Sequence, residues 1–192
     1  MKRLRMILSV MVVFSCMANA QFTLTLKGFV NSNDETKDYV VFEFDGLSKS
    51  ELFQKAKVFV NKNYVSAKDV LNEVENENIS VNGFSTEAIR LFDGKMGKLA
   101  PPFNLTYSFN ISFKEGKIRI NAPDFKVSSS QNDVFITLTE KSLFGTPVKH
   151  RIFNPSNGKT EKENSKSDLE SFFNILFSNL KKSINGELDD NW

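Results

Sequence analysis

Cysteine is almost missing from this chain, and so is histidine: 192 residues hold one of each. A single cysteine cannot close an intrachain disulfide, so apolar burial has to hold the fold together. The same scarcity nearly excludes a tetrahedral zinc site. Phosphate-cradling loops are lacking too, because Gly94 and Gly97 in "DGKMGK" lead into "LAPP" rather than into a helix N-terminus. Nor is any apolar run long enough to cross a bilayer as a helix. Finally, charge of one sign is missing. The balance of 25 Lys+Arg against 23 Asp+Glu gives a net +2. Such a chain has no global field to draw it to nucleic acid or anionic lipid.

What is present begins with an export pattern. "MKRLRMILSVMVVFSCMANA" places Lys2, Arg3 and Arg5 before the apolar run Met6–Phe14, with small residues at Ala18 and Ala20. Charged region, short apolar region and A-x-A site together predict a signal peptide over residues 1–20, cleaved between Ala20 and Gln21. A competing reading makes Cys16 a lipoprotein cysteine and tethers the protein to a membrane surface. The bulky Phe14 disfavours that site, whereas "ANA" suits ordinary cleavage. Cleavage after Ala20 removes the only cysteine and three cations, leaving 22 Lys+Arg against 23 Asp+Glu, or −1. The 192 − 20 = 172 residues that remain suffice for one domain, 21–192, with a real core. The expected location is the periplasm or outside the cell.

Periodicity then sets the elements. "FTLTLKGFV" (22–30) and "YVVFEF" (39–44) read as strands, separated by the polar loop "NSNDETKD". "NSNDETKD" offers oxygens at short spacing but lacks the EF-hand pattern, so a loop is preferred to a calcium site. Ser48 and Glu51 fit a capping box, and Leu52, Phe53, Ala56, Phe59 and Val60 share one face of the helix that follows. Strand patterning returns over 69–92. "FNLTYSFNISF" (103–113) alternates strictly, with Phe103, Leu105, Tyr107, Phe109, Ile111 and Phe113 on one face. That predicts a long antiparallel strand with one side buried and one wet. "KEGK" turns the chain into "IRINAPDF", whose Pro123 limits central pairing, and "DVFITLT" adds a strand. "NPSNGKTEKENSKS" (154–167) lacks apolar residues and reads as a flexible loop. A second capping box at Ser167 and Glu170 opens a helix with a stripe of Leu169, Phe172, Phe173, Leu176, Leu180 and Ile184, which Gly186 can close. The expected fold is α+β: two layers, with both helices on one face of an antiparallel sheet.

"FEFDGLSKSELFQKAKVFVNKNY", "YSFNISFKEGKIRINAPDF", a late helix and Trp192 together resemble the Bacteroidetes domain-of-unknown-function family with a TBP-like fold. The resemblance covers roughly residues 37–140. It implies a curved antiparallel sheet backed by helices in an exported protein, and it brings no established activity.

Candidate chemistry is sparse. His150, in "PVKHRIF", sits beside cations and lacks any nominated nucleophile, so packing is the simpler role. No carboxylate pair stands out among 23 acids, which leaves a hydrolase using unidentified carboxylates as the alternative function. No cofactor is expected. TATA-box proteins wedge phenylalanines into DNA, but the wet strand face here is uncharged, and nucleic acid is rejected as a partner. The sequons at Asn78, Asn104 and Asn110 read as markers of that wet face. Asn104, Thr106, Ser108, Asn110 and Ser112 supply paired donors and acceptors suited to an envelope protein or glycan. They form the candidate binding face of a non-enzymatic binding or assembly module.

Overall fold

The alternating residues of 103–113 dictate the centre of the molecule. In the computed structural model, which describes residues 21–64, 71–91, 102–130, 133–142 and 148–187, they form strand β6, Phe103–Lys114. All six of its apolar side chains point into the core and are buried. Preceding it are β1 (Phe22–Thr25), β2 (Gly28–Asn31), β3 (Tyr39–Glu43), helix α1 (Lys49–Asn63), β4 (Leu71–Val74) and β5 (Asn78–Ile89). After it come β7 (Lys117–Asn121), β8 (Asp124–Ser128), β9 (Val134–Thr137), β10 (Val148–Arg151) and helix α2 (Glu163–Asn185).

Among the described residues, eight strands make the main sheet in the order β10-β9-β8-β6-β5-β4, with β7 pairing both β6 and β3. All pairs are antiparallel except β9–β10, where Val148 lies opposite Val134 in parallel register. Two different strands therefore share one edge of β6. β7 pairs with Ile111–Lys114, and β8 pairs with Asn104–Ser108. The switch falls at Ala122–Pro123. Proline has no N–H for a ladder, and the Ala122 N–H donates instead to the Asp38 carbonyl at 2.6 Å. The sheet forks there.

Both helices cover one face. The Ser48–Glu51 capping box forms as expected, and the five predicted apolar residues of α1 are all buried. Phe53 meets Phe113 edge-on at 5.4 Å, and Phe177 of α2 meets Phe109 at 5.1 Å. Edge-on aromatic pairs add about 0.5–1.5 kcal/mol each beyond their area burial, so a chain with 19 phenylalanines has a stiff core without cross-links. Tyr107 lies across Gly83 of β5, where a Cβ would sit 2.1 Å from Tyr107 Cζ. Its hydroxyl shares a 2.8 Å hydrogen bond with that of Tyr64.

Three expectations need correction. Residues 22–30 form a hairpin, not one strand. The chain reverses at Leu26–Lys27, and Gly28 adopts φ 114°, open to glycine without a side-chain penalty. The helix expected from Ser167 starts at Glu163, so residues 163–167 of the expected loop 154–167 are helical, and the Ser167–Glu170 box does not form. Contacts with Arg90, just past the end of β5, support the added turn. The buried Ser165 hydroxyl donates to the Arg90 carbonyl at 2.6 Å, and Asp168 accepts from the Arg90 N–H and guanidinium. Within 154–160, Phe153 and Thr160 form a bridge that closes a tight turn. Strand β10 holds His150, and Phe177, outside the expected apolar stripe of the late helix, is buried.

Residues β1–β2 form a separate two-stranded sheet. Polar side chains on α2 hold its edge. Asn174 Oδ1 accepts from the Gln21 and Phe22 N–H groups, each at 2.9 Å, and Asn174 Nδ2 donates to the Phe22 carbonyl. One turn earlier, Glu170 accepts from the Leu24 N–H at 2.8 Å and the Thr23 hydroxyl at 2.9 Å. The i, i+4 spacing of a helix thus stands in for a neighbouring strand.

Candidate functional site

With the helices on one side, alternation leaves the other face of the sheet open. The predicted residues Asn104, Thr106, Ser108, Asn110 and Ser112 all lie on it, along the middle of β6. Two are committed to the fold. Asn104 Oδ1 accepts from the Glu87 N–H at 3.2 Å, capping the β5 irregularity between Ser85 and Ile89 where Glu87 takes φ 54°. Asn110 accepts a short hydrogen bond from the Ser80 hydroxyl. Thr106, Ser108 and Ser112 are left as the strip available to a ligand.

The flanking strands supply what β6 lacks. On β5, Phe84 stands opposite Thr106 with 61% of its surface exposed. On β8, Lys126 stands opposite the same Thr106 and lies over the Phe135 ring, 5.0 Å from its centroid. At ordinary strand spacing an exposed aromatic and a cation are thus held ~10 Å apart with a threonine between them. Toward β3, the Arg119 guanidinium covers the Tyr39 ring at 3.9 Å and donates to Asn121 Oδ1 at 3.1 Å. Lys117 and Arg119 are basic, and Glu43 and Asp124 acidic, so the face is mixed in charge although β6 itself is neutral. Only pairing registers bring these residues together, and spacing along the sequence could not reveal them.

The fork opens the face into two adjoining clefts. β8 and β9 pair only through Val127–Ile136 and Ser128–Phe135, then splay apart. Between them and the hairpin turn at Lys27–Gly28 lies a cleft of about 640 Å³, lined by Asp124, Phe125, Lys126, Phe135, Thr137 and Glu140, among others. Lys149 pairs with Glu140 there and holds that carboxyl below its usual range. A second cleft of about 330 Å³, on the other side of Pro123, is lined by Asp38, Ser108, Asn110 and Asn121. Both share Lys27, Gly28, Pro123 and Asp124.

Other candidates offer less. His150 is half-buried near Lys141 and Lys162, and burial followed by those cations pushes its pKa below the usual value. Asp34 of "NSNDETKD" is taken up by Lys37 and Thr36, which hold its carboxyl at about 2. Among the described residues, no group of three or more His, Cys, Asp or Glu could hold a metal ion, and no helix is long and apolar enough to cross a membrane. Gln21 sits at the start of the hairpin, while Cys16 and Ala20 lie outside the described residues.

Comparisons with known proteins agree with this architecture. A TBP-like protein from Parabacteroides distasonis superposes with a TM-score of 0.51 at 16% identity, over 77% of this chain and 90% of that one. A DUF4468 family protein from Bacteroides ovatus superposes with a TM-score of 0.53 at 13% identity, over 80% of this chain and 87% of that one. At such identities the likeness shows the fold alone. No curated protein matches the sequence. Residues 39–128, from β3 to β8, match the family model described as a domain of unknown function (DUF4468) with TBP-like fold. Over that span the chain is similar to the DUF4468 family, and its architecture is the TBP-like fold: a large, mainly antiparallel sheet with two helices packed against it.

Proposed function

We propose that this is an exported cell-envelope protein, cleaved after Ala20, that acts as a non-enzymatic binding module through the open face of its sheet. The observation that carries the reading is the exposed Phe84, fixed on a rigid strand beside Thr106 and Lys126 rather than folded into the core. Val41 and Val74 are exposed on the same face, and apolar groups gathered in a polar surround mark recognition surfaces. Export is supported by the order of the first 20 residues. It is supported also by the hydrogen bonds that engage Gln21 and Phe22, since cleavage there leaves β1 complete.

Cell fractionation with mass spectrometry of the mature N-terminus tests the first half. A chain beginning at Gln21 is expected, and diacylglyceryl-Cys16 would replace it with a lipid-anchored form. For the second half, isotopically labelled mature protein is titrated with soluble envelope glycans and envelope proteins. Amide shifts centred on Phe84, Thr106, Ser108 and Lys126 are expected. Shifts confined to the outer helical residues Val58 and Ile175 would overturn the reading.

A further inference from the structure

The cleft between β8 and β9 has chemistry of its own. Val127 pairs with Ile136, so strand alternation turns the N–H and C=O of Phe125 toward the same edge. The ladder has ended there, and among the described residues no strand pairs with them. They face a cavity of about 640 Å³, within the range of roughly 300–1,000 Å³ usual for ligand sites. An edge that presents one donor and one acceptor in strand geometry matches an extended peptide backbone.

Charge narrows the occupant. Lys27 and Lys126 form no salt bridge among the described residues, and neither do Asp124 and Asp38. Glu140 and Lys149 satisfy each other. Cations without a carboxylate partner therefore lie in the larger cleft and Asp38 in the smaller, with Lys27 and Asp124 shared by both. A uniform polyanion, whether nucleic acid or acidic glycan, would bring like charge against Asp124 and Asp38. A peptide with an acidic and a basic side chain can satisfy both ends.

We propose that the β8–β9 cleft binds an extended peptide segment of mixed charge, which pairs with the Phe125 backbone, sets its acidic side chain by Lys126 and Lys27, and reaches past Pro123 to set its basic one by Asp124 and, in the adjoining cleft, Asp38. This rests on the binding reading above and names its partner class. The test is selection of displayed heptapeptides on the mature protein, followed by titration of the best synthetic peptide, capped at both ends. Enrichment of sequences holding both charges is expected, with amide shifts at Phe125, Lys126 and Leu138. Lys126→Glu and Asp124→Lys, both at exposed positions, should each weaken binding at least fivefold, and the double reversal should favour peptides of opposite charge order. Peptides without charge preference, or equal binding of polygalacturonate, would overturn the proposal. If instead binding is lost on Phe84→Ser but survives Thr139→Trp, which fills the cleft, the open face remains the binding surface and the peptide cleft falls.

Discussion

Replacing Gly83 by alanine tests the packing logic most directly. In an ordinary strand interior, Gly→Ala stabilises by about 0.5–1 kcal/mol. Here the added methyl would meet Tyr107 Cζ at 2.1 Å, with Cε2 and Oη at 2.5 Å. The ring has little room to retreat, because Phe172 and Phe173 meet it edge-on at 5.2 and 5.5 Å and Tyr64 holds its hydroxyl. Overpacking of this kind costs about 1–3 kcal/mol, and displacing the ring adds about 1 kcal/mol for the lost hydrogen bond. With the strand gain subtracted, Gly83→Ala should destabilise by about 2 kcal/mol. For a domain of this size that is a fall in Tm of about 4–8 °C. Urea denaturation should show a lower midpoint at unchanged m. In a Tyr107→Leu background the same substitution should become neutral or stabilising, because the obstructing ring is gone. Wild-type stability in the single mutant, or an equal cost in both backgrounds, would refute the account.

Asn174→Ala removes the partners of the Gln21 and Phe22 N–H groups and the Phe22 carbonyl. A loss of about 1–3 kcal/mol is expected, and hydrogen exchange should accelerate first within residues 21–31. Burial raises the pKa of both Tyr64 and Tyr107. Their neutral forms therefore contribute stability that is complete below the unfolded value near pH 10 and lost as pH rises above it. Absorbance at 295 nm should show these two tyrosines ionising only with alkaline unfolding, and Tyr64→Phe should flatten that dependence. Asp34 moves the other way, from 3.8 to about 2, through Lys37 and Thr36. Order in the 31–37 turn should persist above pH 4 and fade as pH falls through about 2, as carboxyl NMR titration can follow.

Much of this architecture was legible because alternation and helical spacing are local signals. Residues 103–113 declare their buried and wet faces outright, and Ser48–Glu51 fixes the start of α1. The sequence misleads where a distant contact overrides a local pattern. The first turn of α2 forms against Arg90, so its start carries no capping side chain. At Leu26–Lys27 a two-residue reversal interrupts an alternation that otherwise reads as one strand. For the candidate face, the β6 strip could be read from sequence but its charged and aromatic flanks could not. Phe84 and Lys126 become neighbours of Thr106 only through pairing across three strands.

The clamp of α2 on β1 bears on how such a chain comes to be folded. Its hydrogen bonds span 152 and 153 positions, joining the start of the β1–β2 hairpin to α2. A polypeptide that emerges N-terminus first must keep Phe22, Leu24 and Phe29 uncovered until Phe173 and Phe177 have followed. Completion then waits on α2, and the chain before it stays slack until that helix has docked. Truncation before residue 170 should leave these early phenylalanines a target for holdase chaperones.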